Sequence, residues 1–202
     1  MNESDPPIIS PDTTRDERIP PGQVQTKKWP VLHYGSTPSF DRTCWTFHIF
    51  GLVETPWHCT YDEFTALPKI KVFADMHCVT RWSTLDNLWE GVSTREVLSK
   101  VKVAATAKYV MVHCEHGFTT NLPLADFLDD DCLFAWKQNG VNLDADHGYP
   151  LRLVIPRLYA WKSAKWVRGI ELMADDKAGF WEEWDHGGYH MRGDPWHDER
   201  FR

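Results

Sequence analysis

Period-two alternation dominates this chain, and the helical signals between the alternating runs are short and few. In TCWTFHIFGLVETP, Thr43–Pro56, the apolar residues Trp45, Phe47 and Ile49 alternate with polar ones until Gly51 and Pro56 break the run. In KIKVFADMHCV, Ile70, Val72 and Ala74 fall on one face, and the strand gives way to a loop at Cys78. AKYVMVHCE reads as a buried strand. CLFAWKQNG reads as a strand closed by an Asn139-Gly140 turn, which predicts a hairpin into VNL. HGYPLRLVIPRLY and KWVRGIELM each contain a further strand. The helices are short. TYDEFTAL opens at an N-cap, Thr60, and should stop near Pro68; STREVLSKVK opens on the capping box Ser93–Glu96; PLADFL is a third. With no regular βαβ alternation, the pattern predicts an α+β domain with a β-rich, barrel-like core and short helices rather than a Rossmann fold.

Residues 1–28 are rich in Pro, Asp and Thr and are expected to form an extended or disordered arm, with Ile8 and Ile9 as the residues able to dock. The ordered domain is expected over 29–202, its Trp-rich C-terminal segment packed on it because so much ring area is costly to leave in water. A formal net charge of -7 gives no global pull toward nucleic acid or an anionic membrane. The five cysteines include no CxxC pair, which removes support for a zinc ribbon or a thioredoxin-type motif and fits reduced thiols. The N-terminus has neither an apolar h-region nor a twin arginine, and no run of about 20 apolar residues occurs. A cytoplasmic protein without a membrane span is therefore expected.

Three constellations carry possible chemistry. The first is FADMHCVTRWST, where Cys78 stands at a strand end beside His77 and the polar run Thr80-Arg81-Trp82. A thiolate is the form that ligates or attacks, and a cation such as Arg81 favours it; the plainer alternative is an inert buried cysteine. The second is a zinc site drawn from His77, Cys78, His113, Cys114 and His116, although His113 and Cys114 are adjacent and face opposite ways in a strand. Here hydrogen-bonded wall histidines are the simpler reading. The third is the basic cluster Arg152, Arg157, Lys162, Lys165 and Arg168, interleaved with Tyr159, Trp161 and Trp166 in an acidic chain. Cations, the Ser163 hydroxyl and backbone N–H groups suit a flat ligand bearing phosphate, and a solvated edge blunted by lysines is the alternative. Asp129-Asp130-Asp131 reads as a solvated turn. A nucleophilic-cysteine hydrolase would need a histidine paired with Cys78 and an orienting acid, and no such trio stands out.

Taken in order, PVLHYG (Pro30–Gly35), FHIFGLVE (Phe47–Glu54), HCVTRWS (His77–Ser83), WEGV (Trp89–Val92), KYVMVHCEHGFTTNLPL (Lys108–Leu124), HGYPLRLVIP (His147–Pro156), YAWKSAKWV (Tyr159–Val167) and GFWEEWDHGGYHMRGDPW (Gly179–Trp196) resemble the sulfite-oxidase-type molybdopterin oxidoreductases, most of all their short, haem-free members. The resemblance implies that Cys78 binds molybdenum through sulfur, beside the dithiolene of one pyranopterin per metal. It implies that His147 and Arg152 lie against the pterin and its phosphate, that Ser163, Ala164 and Lys165 form a phosphate cradle, and that His33 and Tyr34 contact the cofactor. Cys114 falls where a methionine-sulfoxide-reducing relative has a cofactor-contacting threonine, a departure from the pattern. The implied activity is oxygen-atom transfer on a small oxyanion, sulfoxide or N-oxide, with electrons exchanged through a separate redox protein or carrier. By position, Arg81 would draw the substrate in, and Trp82 and His77 would wall the pocket. The rival reading keeps the fold but makes it a ligand-binding module, cofactor-free or with zinc at Cys78.

Overall fold

The computed structural model describes residues 6–184 and 193–201. The strands are β1 (Ile8–Ile9), β2 (Val24–Gln25), β3 (Thr46–Gly51), β4 (Trp57–Thr60), β5 (Ile70–Cys78), β6 (Trp82–Ser93), β7 (Tyr109–Cys114), β8 (Thr119–Pro123), β9 (Leu133–Gln138), β10 (Val141–Asn142), β11 (Arg152–Val154) and β12 (Val167–Met173). The helices are α1 (Tyr61–Thr65), α2 (Thr94–Leu98), α3 (Leu124–Phe127) and α4 (Phe180–Trp184). The strands make two mixed sheets. One runs β1-β5-β6-β9-β10, with β11 also on β9 and β2 also on β6; the other runs β4-β3-β12-β7-β8. This is the α+β architecture expected from the alternating runs and short helices.

Side-chain alternation along β9 shows how the layers are built. Phe134 and Trp136 point into a large apolar cluster shared with Phe47 of β3, Val112 of β7 and Ile170 of β12. Leu133 and Ala135 point the other way, into a second cluster with Val72, Ala74, Met76, Trp89 and Val154. The first cluster joins the two sheets: the Phe47 and Phe134 rings lie 5.3 Å apart, and Phe64 and Phe127 close around them. The second lies on the outer face of the seven-stranded sheet, where Ile8, Trp29, Trp82, Tyr149 and Ala160 cover it. Ile70, Val72 and Ala74 all join that second cluster, as their spacing predicted. Both faces of β9 are therefore dry, which is why it reads as an unbroken apolar run.

The N-cap readings hold in detail. The Thr60 hydroxyl accepts the Glu63 N–H while the Glu63 carboxylate accepts from the Thr60 N–H at 2.8 Å, a reciprocal capping box. At α2 only one half forms, Ser93 Oγ accepting from the Glu96 N–H at 3.0 Å. The Asn139-Gly140 turn joins β9 to β10, with Asn139 at φ 51° and Gly140 at φ 81°.

The segment before Trp29 is extended and contributes to the sheet. β1 pairs in parallel with β5, and β2 in parallel with β6. Few apolar residues are available there, so polar anchors fasten it. Arg18 forms a bidentate pair with buried Asp75, at 2.6 and 2.9 Å, and Ser10 donates to Asp131 at 2.7 Å. At the other end of the chain, Phe180 packs on Tyr34 and Phe118, and Trp196 stands edge-on to His77. The remainder of the Trp-rich segment, 185–192, lies outside the described residues. Among the described residues no helix is long and apolar enough to cross a membrane.

Candidate functional site

Two pieces of the chain meet on the outer face of the seven-stranded sheet. The first is the three-residue hairpin loop Val79–Arg81 that joins β5 to β6. Cys78 pairs with Trp82 across it, the Arg81 N–H donates to the Cys78 carbonyl at 2.8 Å, and Arg81 takes the left-handed position at φ 75° that a hairpin of this length requires. A non-glycine residue there costs ~1–2 kcal/mol. It is held by its side chain: Nε donates to the Gly22 carbonyl at 2.9 Å, and the guanidinium lies 5.4 Å from the Phe201 ring. The Cys78 sulfur is 3.1 Å from the Thr80 hydroxyl. Burial pushes the thiol up. The Thr80 hydroxyl, the Thr80 N–H, the charge of Lys165 and the Val79 N–H all pull it back toward the thiolate. The sulfur thus faces donors and a cation rather than hydrocarbon alone, and the cation is the one the sequence placed some eighty positions away.

The second piece is a basic corner built from β11 and the turn that follows it. Arg152 is 2 % exposed and its guanidinium sits 5.2 Å from the Trp29 ring and 5.5 Å from the Trp89 ring. Its Nη1 donates to the His147 carbonyl at 2.9 Å and its Nη2 to the Ser163 carbonyl at 3.0 Å. These are neutral partners, and burial lowers its pKa to about 9. Lys165 is similar: its ammonium donates to the carbonyls of Leu32 and Asp146 at 3.0 and 2.6 Å, and burial first, then Arg152, lowers it to about 8. Among the described residues neither cation has a carboxylate ion-pair partner. A buried guanidinium beside a half-buried ammonium, neither ion-paired to a carboxylate among the described residues, is unfavourable, and the arrangement becomes favourable when an anion occupies the corner.

The neighbouring residues complete the corner. His147 stacks on Trp29, centroids 3.9 Å apart; its Nδ1 is 2.8 Å from an Asp144 oxygen and its Nε2 3.2 Å from the Trp29 carbonyl. Gly148 adopts φ 113°, and a Cβ there would lie 2.9 Å from Arg152 Cβ and 3.3 Å from Lys165 Cβ, so only glycine lets this turn approach both cations. Ser163 Oγ accepts the Ile155 N–H at 2.9 Å, and the Ala164 carbonyl accepts the Leu153 N–H at 2.8 Å; together they fix the turn that presents Lys165. Trp166, also left-handed at φ 56°, anchors the end of that turn by donating its indole N–H to Ala145 at 2.7 Å. His33 lies 3.5 Å from the Lys165 ammonium and edge-on to Trp166, and burial followed by the lysine charge lowers its pKa.

Of the residues singled out from sequence, Cys78, His33, His147, Arg152, Ser163, Ala164 and Lys165 converge. Tyr34 lies next to His33, half exposed, its ring 4.7 Å from Phe180. Cys114 does not join them: its side chain belongs to the large apolar cluster between the sheets, and burial raises its pKa far above the usual range, so it stays a neutral thiol there. His77 is fully buried rather than part of an open wall, with Nδ1 2.8 Å from Ser83 Oγ and its pKa lowered to about 4 by burial. Among the described residues no group of three or more His, Cys, Asp or Glu side chains is arranged to hold a metal, so the zinc cluster considered from sequence does not assemble. Sequence reasoning gave no site role to Gln23, Trp29, Asp198 and Arg200, which lie outside the quoted motifs, nor to Trp89 and Tyr159, which lie inside two of them.

The donor set fits an anionic, flat cofactor with a thiolate-binding metal: a thiol among donors, a buried guanidinium between indoles and an ammonium bonded only to neutral partners. Comparison with known proteins agrees. Residues 34–181 match the family described as the oxidoreductase molybdopterin binding domain. The chain is 48% identical over 185 residues to the uncharacterized oxidoreductase YuiH of Bacillus subtilis, covering 91% of this chain and 92% of that protein. It is 27% identical over 168 residues to a putative protein-methionine-sulfoxide reductase subunit, YedZ1, of Azospira oryzae, covering 82% of this chain and 64% of that one. In fold it is similar to the sulfane dehydrogenase SoxCD of Paracoccus pantotrophus, with a TM-score of 0.65 at 22% identity over 71% of this chain and 41% of that one.

Proposed function

Because the chain belongs to the oxidoreductase molybdopterin-binding domain family, we propose that it is a molybdenum oxidoreductase acting on a small oxyanion, sulfoxide or N-oxide and exchanging electrons with a separate carrier, in the cytoplasm. When bound, a molybdenum–molybdopterin group, one pyranopterin per metal, supplies oxygen-atom transfer and the redox change that goes with it. The residues of this chain bind, orient and tune. Cys78 offers the soft thiolate, favoured by the Thr80 hydroxyl and by Lys165. Arg152 and Lys165 take the phosphate end, with Ser163 and Ala164 holding the turn that presents the lysine. His147, stacked on Trp29, and the His33-Tyr34 segment flank the ring system. Arg81, exposed at the hairpin tip, is the cation that meets an anionic or dipolar substrate, although its Nε is already engaged by Gly22.

The observation that carries this reading is the corner's two cations, Arg152 and Lys165, whose hydrogen bonds go to neutral partners, with Lys165 in electrostatic reach of the Cys78 sulfur. The test is elemental and pterin analysis of protein made in a host that synthesises molybdopterin. Wild-type protein should carry about one molybdenum and one pterin per chain, and Cys78→Ser should lose the metal and turnover. Folded wild-type protein with no molybdenum ends the reading, and zinc in its place favours the ligand-binding module. A dye-linked screen of sulfite, sulfoxides and N-oxides then assigns the substrate.

A further inference from the structure

Between β2 and β3 the chain crosses the basic corner without a ladder of its own. The Thr26 N–H bond to the Ser83 carbonyl, at 2.9 Å, is the last on the β2 side. From 27 to 40 no backbone–backbone hydrogen bond is made among the described residues. Residues 31–36 are all exposed, the apolar Val31 and Leu32 at 45% and 51%. The corner itself fastens this stretch. The Lys165 ammonium donates to the Leu32 carbonyl at 3.0 Å, the Thr37 hydroxyl donates to Asp146 at 2.5 Å, and His147 Nε2 lies 3.2 Å from the Trp29 carbonyl. A segment with few internal bonds and much exposed backbone opens at low cost.

What lies beneath is sealed. Arg152 is 2% exposed, with the Trp29 ring 5.2 Å from its guanidinium, so a phosphate has no path to it from solvent while Trp29 is down. Trp89, edge-on to Trp29 at 5.5 Å, is fully buried, and its indole N–H has no acceptor among the described residues. A buried donor without an acceptor is rare and calls for a partner that the chain does not supply. Gly35 supplies a pivot: it takes φ 75°, and a Cβ there would meet nothing within 4 Å, so its backbone conformation rather than crowding calls for glycine.

We propose that residues 29–37 are a lid that opens to admit the anionic end of a ligand into the Arg152–Lys165 corner and closes over it, with Lys165 as the latch. The ligand's identity rests on the proposed function, which makes it the molybdopterin phosphate. An ammonium has three donors. The Leu32 and Asp146 carbonyls take two, which leaves one for the anion. The anion also offsets the charge of the cation that holds the loop, so the lid closes more firmly with the ligand than without it.

The experiment uses full-length protein carrying Cys44→Ser, Leu32→Cys and Val141→Cys. Positions 32 and 141 are exposed, Leu32 serves the latch through its carbonyl alone, and the four remaining cysteines are buried. Nitroxide labels at 32 and 141 give a distance distribution by pulsed electron paramagnetic resonance, before and after loading with molybdenum cofactor. Molybdenum retained after gel filtration is followed against time. Apoprotein should show a closed and a displaced population, and loaded protein the closed one alone. Gly35→Ala puts a side chain at a left-handed φ of the closed form, so it should raise the open-to-closed ratio about 5- to 30-fold and hasten both uptake and loss of molybdenum. Thr37→Val, which removes the bond to Asp146, should do the same to a smaller extent. Plain structural damage would lower molybdenum content without hastening uptake. A single closed distance in apoprotein, with wild-type uptake rates in both variants, overturns the lid and leaves the proposed function standing. Two populations in folded protein that takes up no molybdenum overturn the proposed function, and with it the ligand assigned to the lid.

Discussion

Lys162 and Lys165 sit three positions apart in one turn and meet opposite fates. The Lys162 ammonium has three partners: the Asn121 carbonyl at 2.7 Å, the Asn121 side-chain oxygen at 2.8 Å and Glu182 at 2.7 Å. Lys165 hydrogen-bonds only neutral oxygens and reaches the His33 ring, with Arg152 adding like charge and Asp146 and Asp144 attracting it only from beyond ion-pair distance. The first lysine is saturated, its charge cancelled within the chain, and it ties α4 to β8. The second keeps a charge that no carboxylate of the described residues pairs with. The satisfied, buried cation holds the fold together; the one left short of an anion is the one the proposed function assigns to a ligand. Composition alone cannot separate the two, because both are lysines in the same basic run.

The largest effect should come from the saturated side. Lys162→Met leaves the fully buried Glu182 carboxylate without its ammonium, and removing one partner of a buried pair costs ~3–5 kcal/mol. At about 2–4 °C per kcal/mol for a chain this size, the melting temperature should fall by roughly 6–20 °C. Calorimetry of the apoprotein measures it, and a fall of a degree or two would mean that the pair does not carry the contact between α4 and β8.

On the open side the expected pattern reverses. On the proposed function, Lys165→Met would remove a charge-assisted hydrogen bond to the cofactor's anionic end, ~1.5–3 kcal/mol, or about 10- to 150-fold in affinity. Molybdenum and pterin retained after gel filtration report it. The apoprotein of the same variant should melt at or above wild type, since it no longer buries an unpaired charge. If it instead melts as far below wild type as Lys162→Met does, the distinction between the two lysines fails.

How far the sequence could reveal this difference depends on what local pattern records. The strands with clean alternation or a continuous apolar run, β3, β5, β7, β9 and β12, were legible, as were the caps at Thr60 and Ser93. β6 was not, because it carries an extra residue against β5: Ala74 pairs with Asn87 but Met76 with Thr84, and Asp86 takes φ 61°, which breaks the period. β8 was hidden by buried polar residues, Thr120 and Asn121, that look like loop. Two-residue strands such as β1 and β2 lack the length to show a period, and their order comes from Arg18–Asp75 and Ser10–Asp131 pairs that span most of the sheet. At the site, Cys78, Arg152 and Lys165 were found through their motifs. The residues that hold them, Trp29, Gln23 and Arg200, come from segments that carry no motif of their own. Cys114 matched a motif position, yet its side chain turns into the core, since strand alternation sends it opposite to His113.

A finer test of the unpaired lysine uses pH. Lys165 has a folded pKa near 8 against 10.5 for the ordinary side chain. Between those values the unfolded chain binds a proton that the folded chain does not, so unfolding free energy rises with pH. Apoprotein stability relative to Lys165→Met should therefore be lowest below about pH 8 and recover as pH climbs toward 10.5. With the cofactor phosphate in place the ammonium gains an anion, and that recovery should vanish. Urea titrations of both proteins across this range give the answer, and parallel curves for wild type and variant would remove the claim that the charge is uncompensated.

The smallest effect should come from a third lysine, one that is paired but wet. Lys102 lies 2.5 Å from Glu54, closer than the 2.7 Å between Lys162 and Glu182, yet the side chains are 76% and 61% exposed against 5% and 0% for the buried pair. If distance ruled, Lys102→Met would be the more damaging change. Water screens the exposed pair and solvates whichever partner is left behind, so Lys102→Met should move stability by less than ~1 kcal/mol, and 0.5 M salt should erase even that. The ordering of Lys162 far above Lys102 then locates the difference in the desolvated partner stranded by the mutation rather than in the attraction it removes. Lys165 is the contrasting case, partly buried and without a carboxylate ion pair among the described residues, which is the room the proposed cofactor anion would fill.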